Sequence, residues 1–269
     1  MNDPKTYIKS QLISILKNVL RAMGIGITSY RNLINLRENL IDKSRDDLEF
    51  IYAMGSSNFE PLLTLLKESR SQLRQDLLVL AETRYMQGGF FVEFGATNGI
   101  DLSNTYLLEH NFMWRGILAE PGKIWWSQLK RNRPKAHIDT SCVWSKSNLN
   151  LVFNETSAPE LSTVDDFSEN DGHAKVRQTG KKYNVNTISL IDLLKKYDAP
   201  KHIDYLSIDT EGSEYEILNA FDFSEYTFGV ISVEHNFTPQ RNKIYDLLLS
   251  HGYKRRFESQ SHFDDWYTR

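Results

Sequence analysis

Cysteine is almost absent: the 269 residues hold one, Cys142. No disulfide can form within the chain, and a zinc site built from several thiolates is excluded. A lone thiol points to a reducing compartment. Positive charge is not in excess either. With 32 Lys and Arg against 35 Asp and Glu the net charge is −3, and a partner such as nucleic acid is not indicated. Long apolar runs are missing near the N-terminus. Ile8, Leu12, Ile15, Leu16, Val19 and Met23 recur at helical spacing, but Lys9 and Lys17 interrupt them. This is not the apolar core of a signal peptide, nor the roughly 20 apolar residues needed to cross a bilayer. It reads as an amphipathic helix that packs on the domain or on another subunit of a homo-oligomer, or that rests on a membrane surface through residues 5–23. The expected location is the cytoplasm, with the inner face of a membrane left open. A hydrophobic content of 40% and a mean hydropathy of −0.47 describe a soluble globular chain. Its length allows one large α/β domain with an extension.

The dinucleotide fingerprint is also missing, and its absence is informative. Residues 88–99 read Gly-Gly-Phe-Phe-Val-Glu-Phe-Gly-Ala-Thr-Asn-Gly. Phe90–Phe94 is a short aromatic and β-branched run, as in a buried strand. Gly95 permits a tight turn, Gly99 lets the backbone pass close to a neighbour, and Ser103 can cap a following helix. Strand, glycine turn and helix open a nucleotide-binding βαβ unit. The spacing, however, is Glu-x-Gly-x-x-x-Gly rather than Gly-x-Gly-x-x-Gly, and Glu93 repels phosphate. An acid at that position suits an ammonium or sulfonium group, which points to S-adenosylmethionine.

The pattern continues downstream. Gly116–Ala119 reads as a second strand ending in Glu120, where a ribose is held by its two hydroxyls. Ala136–Ile138 reads as a third strand. The loop 139–145, with Cys142 and Val143, falls where an adenine edge is usually read. Leu149–Phe153 reads as an added edge strand. Residues 154–184 are polar and too long for a simple connection. They form an expected lid or substrate insertion, whose His173, Lys175, Arg177, Lys181 and Lys182 are placed to meet an anionic or sugar substrate. Two further strands, 204–209 and 228–233, end in Asp209-x-Glu211 and Glu234-His235. A closing antiparallel pair is expected over 253–257 and 265–268. Ligands bind at the carboxyl ends of strands in an open parallel sheet. Acids interrupt the apolar strands at just those ends, and burying them without partners is costly. A polar ligand or a metal ion explains them together.

With these residues in hand, the chain resembles the FkbM-type S-adenosylmethionine-dependent methyltransferases. The resemblance is carried by Ser71-Gln72-x-x-Gln75-Asp76-Leu77, Phe91–Ala96, Ser103-Asn104-Thr105, Trp114-x-Gly116, Glu120-Pro121 and Asp209-x-Glu211-Gly212-x-Glu214. It spans roughly residues 70–257. It implies an α/β class I methyltransferase fold: a Rossmann-like, mostly parallel seven-stranded sheet with helices on both faces. A helical extension is expected over 1–70 and the cofactor-binding domain over 71–269. It also implies O-methylation, often of a sugar or glycan acceptor. By the same resemblance Glu93, Gly95 and Ala96 line the methionine end of the cofactor. Asn104, with Gln72 and Asp76, holds its amino and carboxylate groups, and Cys142 and Val143 border the adenine. A sugar hydroxyl is a poor acid, so a base or a metal must assist. His235 is the first candidate base and Asp209 or Glu211 the second. Alternatively Asp209, Glu211 and Glu234 hold Mg²⁺. Two rivals stand beside this reading: a nicotinamide-dependent oxidoreductase, disfavoured by the glycine spacing, and a methyltransferase-like fold serving as an interaction module. A non-sugar small molecule is the alternative acceptor.

Overall fold

The computed structural model describes the backbone from Tyr30 to Arg269 and the side chains continuously from Ile41. The amphipathic stretch expected over residues 1–30, with its membrane or subunit contact, lies outside the described residues. The chain divides into two units, Met1–Leu48 and Glu49–Arg269. Of the first, the described part is the start of a helix, Tyr30–Ala53, whose side chains over 41–46 are exposed. No helix among the described residues is long and apolar enough to cross a membrane. The second unit begins at Glu49 because Phe50, Ile51, Met54 and Leu62 are buried in its core.

That unit is organised by eleven strands. They are β1 (Phe90–Phe94), β2 (Arg115–Ala119), β3 (His137–Asp139), β4 (Cys142–Trp144), β5 (Asn150–Glu155), β6 (Thr163–Val164), β7 (Lys181–Ser189), β8 (His202–Ile208), β9 (Thr227–Glu234), β10 (Lys254–Arg256) and β11 (Asp264–Thr268). Seven of them form one sheet in the order β10-β11-β9-β8-β1-β2-β3. Every neighbouring pair is parallel except those made by β11, which runs antiparallel to both β9 and β10. This is the class I methyltransferase architecture, with the order switching between β1 and β8.

The pleat of β1 explains the two-layer core. Phe90, Val92 and Phe94 face one apolar cluster with Leu193, Ile217 and Ile244. Phe91 faces the other, with Leu77, Leu107 and Trp266. Alternate side chains leave opposite faces of a strand, so Glu93 falls on the same face as Phe91. Both faces are covered by helices, which is why these strands are continuously apolar rather than alternating.

The remaining strands form a second sheet, in the order β4-β7-β5-β6. Leu149–Phe153 is therefore not an edge of the main sheet. It lies inside this smaller one, pairing antiparallel with β7 through Asn150–Asn186 to Glu155–Lys181. Residues 154–184, read from sequence as an irregular insertion, contribute β6, the start of β7 and the short helix Ala174–Arg177.

β1 and β2 approach closely at Gly116. A Cβ there would lie 2.1 Å from the Phe91 carbonyl oxygen and 2.5 Å from its ring. We expect Gly116→Ala to lower the unfolding free energy by about 1–3 kcal/mol, as overpacking of a tight core does. Urea denaturation checks this, and a change within experimental error would contradict the register described.

Candidate active site

Strand register builds the site. Phe94, Ala119, Ile208 and Val233 lie in one row across the parallel strands. The next residue on each strand is Gly95, Glu120, Asp209 and Glu234. These four emerge together at the carboxyl edge of the sheet. Antiparallel β11 adds its first residue, Asp264, opposite Glu234. A cavity of about 470 Å³ opens on this row, and all five residues line it. Glu93, Asn104, Gln72 and Gln75 close one side, and Cys142, Val143, Phe153 and Val164 of the second sheet close the other.

Glu93 is buried and organises the segment that leads into the helix Tyr106–Phe112. One carboxylate oxygen accepts from the Asn104 backbone N–H at 2.7 Å. The other accepts from Ser103 Oγ at 3.0 Å and Thr105 Oγ1 at 2.5 Å. Burial raises its pKa, and the Arg133 guanidinium, 4.0 Å away, opposes that rise. Arg133 is itself fully buried. It donates to Glu109, to the Gly99 carbonyl and to Thr105 Oγ1. The result is that Asn104 is held over the cavity. Its Nδ2 donates to Ser207 Oγ at 3.0 Å, and its Oδ1 is buried with no hydrogen-bond partner. A buried unpaired oxygen is costly, so Asn104 Oδ1 is an acceptor prepared for a ligand N–H or O–H.

Glu120 is held by backbone. Its two oxygens accept from the Thr97 N–H at 2.8 Å and the Gly122 N–H at 2.7 Å. Each oxygen keeps a lone pair for a further donor, as a ribose diol supplies. Burial pushes the carboxyl up to about 7. The Cys142 thiol is pushed up to about 12 by burial and by Glu120, which leaves it an inert wall of the cavity.

Carboxyl groups of Asp209, Glu211 and Glu234 approach within 4.8 Å of one another. Burial raises Asp209 and Glu234 well above the carboxylate range, and the neighbouring acids push further the same way. Two acids this close and this buried are not both ionised. Glu211 differs because Arg177 donates to it at 2.7 Å. Burial still lifts it to about 7. Glu211 also adopts a left-handed backbone conformation, φ 58°, as does Asn236, φ 43°. Backbone strain of this kind concentrates at functional sites. Asp264 accepts from Gln75 Nε2 at 2.7 Å, and burial pushes it up to about 7.

The residues singled out from sequence do not all meet here. Gln72, Glu93, Gly95, Asn104, Glu120, Cys142, Val143, Asp209, Glu211 and Glu234 line the cavity. Asp76, Ala96, Gly99 and His235 do not. Asp76 is enclosed, and it accepts from Ser69 Oγ and from the Arg70 and Leu77 N–H groups. It shapes the turn that presents Gln72 and Gln75. Ala96 is packed in the second core cluster. Gly99 abuts Leu129 and Arg133. His235 has both ring nitrogens engaged: Nδ1 accepts from the Phe237 N–H at 3.0 Å, and Nε2 lies 3.1 Å from the Asp264 carbonyl oxygen, to which it donates. Burial lowers its pKa. A general base needs a free nitrogen facing the substrate, and this geometry instead makes His235 a tie between two loops. Of the five basic residues in the insertion only His173 lines the cavity. Arg177 is buried against Asp171 and Glu211, and Lys182 pairs with Asp165. Lys175 and Lys181 are exposed. Asp264, Asn236 and the anchoring role of Gln75 are the additions that sequence reasoning missed.

The model of the methyltransferase FkbM domain matches residues 93–255. The chain belongs to the FkbM methyltransferase family. Two solved structures of other methyltransferases resemble it. One is a precorrin-6Y C5,15-methyltransferase from Geobacter metallireducens, with 15% identity, 67% of this chain and 71% of that one covered, and a TM-score of 0.37. The other is a TehB-like S-adenosylmethionine-dependent methyltransferase from Corynebacterium glutamicum, with 10% identity, 78% and 95% covered, and a TM-score of 0.37. The fold assignment rests on the strand order above and not on these two likenesses. No curated protein sequence matches.

Family membership makes this FkbM protein a methyltransferase that uses S-adenosylmethionine. The cavity's chemistry fits that cofactor: among the described residues no Lys or Arg lines it, carboxylates do, and Asn104 Oδ1 has no partner. Such a lining suits a ligand bearing sulfonium and ammonium charge.

The raised acids make the ligand-free protein pH-sensitive. An acid whose folded pKa exceeds its unfolded value contributes stability that is full below the unfolded pKa and is lost as pH rises through the folded one. For Asp264 that window runs from 3.8 to about 7. The unfolding free energy is therefore expected to fall as pH rises from 5 to 7. We expect Asp264→Asn to flatten the fall by up to about 1.4 kcal/mol per pH unit. Urea denaturation at pH 5, 6 and 7 without cofactor measures the slope, and an unchanged slope would contradict the burial described.

Proposed function

We propose that this FkbM methyltransferase transfers a methyl group to a hydroxyl of a sugar acceptor. The observation that carries this reading is the carboxyl row Asp209–Glu234–Asp264 at the cavity floor, beside the unpaired Asn104 Oδ1. Hydroxyls donate to such carboxylates, and an anionic acceptor finds no Lys or Arg among the described lining residues. The family resemblance supports the same acceptor class.

Roles follow from position. Asn104 Oδ1 takes the cofactor's ammonium, with Gln72 beside it. Glu120 accepts from the ribose diol, and Cys142 and Val143 flank the adenine. When bound, the cofactor would supply an activated methyl group on its sulfonium. The Asp209–Glu234 pair faces the acceptor hydroxyl and receives its proton as the new oxygen–carbon bond forms. Burial and the neighbouring acids raise the proton affinity of both groups, as a base for a hydroxyl requires. Asp264 and Gln75 hold the far side of the row. In-line positioning supplies much of the acceleration.

A second reading is favoured by one observation. Three carboxyls within 4.8 Å can hold a divalent cation, which would acidify the hydroxyl directly. Glu211 is already paired with Arg177, so the carboxyl-base reading is preferred.

Transfer of labelled methyl to a panel of sugars and glycolipids, with and without EDTA, tests both. Transfer insensitive to EDTA is expected. Full loss of activity with EDTA, restored by Mg²⁺, would favour the cation. Titration calorimetry tests the cofactor placement. We expect Asn104→Ala to weaken S-adenosylmethionine binding about 10- to 100-fold, the worth of one hydrogen bond to a charged group. Unchanged affinity would remove Asn104 from the cofactor site.

A further inference from the structure

A second chamber of about 290 Å³ adjoins the main cavity. Glu234 and Asn236 line both spaces, so a ligand at the Asp209–Glu234 pair can extend past Asn236 into it. Its size is near the lower end of the roughly 300–1,000 Å³ typical of small-ligand sites.

Apart from Glu234, which belongs to the reacting pair, the chamber's titratable groups already have partners. Asp171 receives a bidentate pair from Arg177 at 2.8 Å. Glu214 accepts from the Thr210 N–H and Oγ1 at 2.9 Å and from the Gly212 N–H at 3.1 Å. His235 has both nitrogens engaged, as described above. No Lys or Arg among the described residues lines the chamber. What else is uncommitted is neutral and polar. Gln240 lines the chamber, and its Oε1 is buried with no hydrogen-bond partner among the described residues. The side chains of Asn170 and Thr238 also line the wall. The Phe167 ring supplies an apolar face on the same wall. A lining with an orphan amide oxygen, neutral polar side chains and an aromatic residue matches a sugar ring, which offers hydroxyl donors around an apolar C–H face. A buried acceptor without a donor is costly, and a hydroxyl from such a ring removes that cost. A lipid tail would leave Gln240 Oε1 unpaired, and a phosphate would face the acids Asp171, Glu214 and Glu234 with no Lys or Arg among the described lining residues.

We infer that this chamber is an acceptor subsite for a second sugar ring. The acceptor is then an uncharged glycan of at least two residues, with its reacting hydroxyl at Glu234 and the neighbouring ring between Phe167 and Gln240. This rests on the sugar O-methyltransferase reading proposed above.

The test uses the full-length protein with S-adenosylmethionine. The probes are methyl glucoside, methyl galactoside and methyl mannoside, each beside a neutral disaccharide and a uronic-acid disaccharide built on the same ring. Calorimetry establishes cofactor binding separately. For whichever ring is methylated, kcat/KM for the neutral disaccharide is expected to exceed that for the monosaccharide by about tenfold or more, equivalent to at least one good hydrogen bond. The uronic-acid disaccharide is expected to fall below the neutral one. Gln240→Leu keeps the side chain's bulk and removes the orphan oxygen, and it is expected to lower the disaccharide-to-monosaccharide ratio about tenfold. Equal kcat/KM for monosaccharide and disaccharide overturns the subsite while leaving the sugar reading intact. So does a ratio unmoved by Gln240→Leu, or a preference for the uronic-acid disaccharide. Cofactor binding with no transfer to any ring overturns the sugar reading and the subsite together.

Discussion

A carboxylate cut off from water sits at the centre of this molecule. Glu93 is the penultimate residue of β1, inside the sheet, and its burial is tolerable only because three donors and a guanidinium surround it. Those donors are the Ser103 and Thr105 hydroxyls and the Asn104 backbone. The segment between the glycine turn and the next helix is therefore moulded onto Glu93. Arg133 in turn is fixed by Glu109 and the Gly99 carbonyl. A buried pair of this kind is weak evidence for stability and better evidence for geometry. Here the geometry it delivers is Asn104, held above the cavity with one oxygen unspent.

The opposite half of the cavity is governed by shortage of counter-charge. Asp209, Glu234 and Asp264 converge from three neighbouring strands, and among the described residues no Lys or Arg lines the cavity they share. Such groups retain or share protons when they cannot be solvated. A row of that kind is suited to hydroxyl chemistry, because it accepts a proton readily and tolerates a positively charged neighbour. Glu211 alone of the cluster has a guanidinium partner, Arg177, which opposes the rise without cancelling it.

Much of this was legible in the chain itself, and the limits have physical causes. Parallel strands that are buried on both faces read as apolar runs, so β1, β2, β8 and β9 were visible, and the acids that end them stood out. Asp264 was not visible for a simple reason. A rule that looks at the carboxyl ends of strands overlooks an antiparallel strand, which brings its first residue to that edge. The second sheet was missed because β4 and β6 are very short and polar residues dominate its exposed side. The alternation in β7 of Lys182, Asn184 and Asn186 with Tyr183, Val185 and Thr187 was the available signal. His235 looked like a base because a histidine beside an acid at a strand end usually faces the ligand. The backbone turn at Asn236 and Phe237, both at positive φ, folds the chain back so that the imidazole meets main-chain groups instead.

The bond between Arg177 and Glu211 joins two parts of the chain that differ in kind. Arg177 closes the short helix of the insertion, and its guanidinium also reaches the Leu161 carbonyl. Glu211 belongs to the loop after β8, and its own carbonyl accepts from Thr163 of β6 at 2.9 Å. The insertion is thus keyed into the loop after β8 by one buried cation and one hydroxyl. Modularity has a definite boundary here. Transplanting the insertion between relatives to exchange acceptor preference requires moving Arg177, Asp171, Thr163 and Glu211 as a single cassette: a charged member left behind strands its partner in the interior, and Thr163 left behind costs the Glu211 carbonyl its donor.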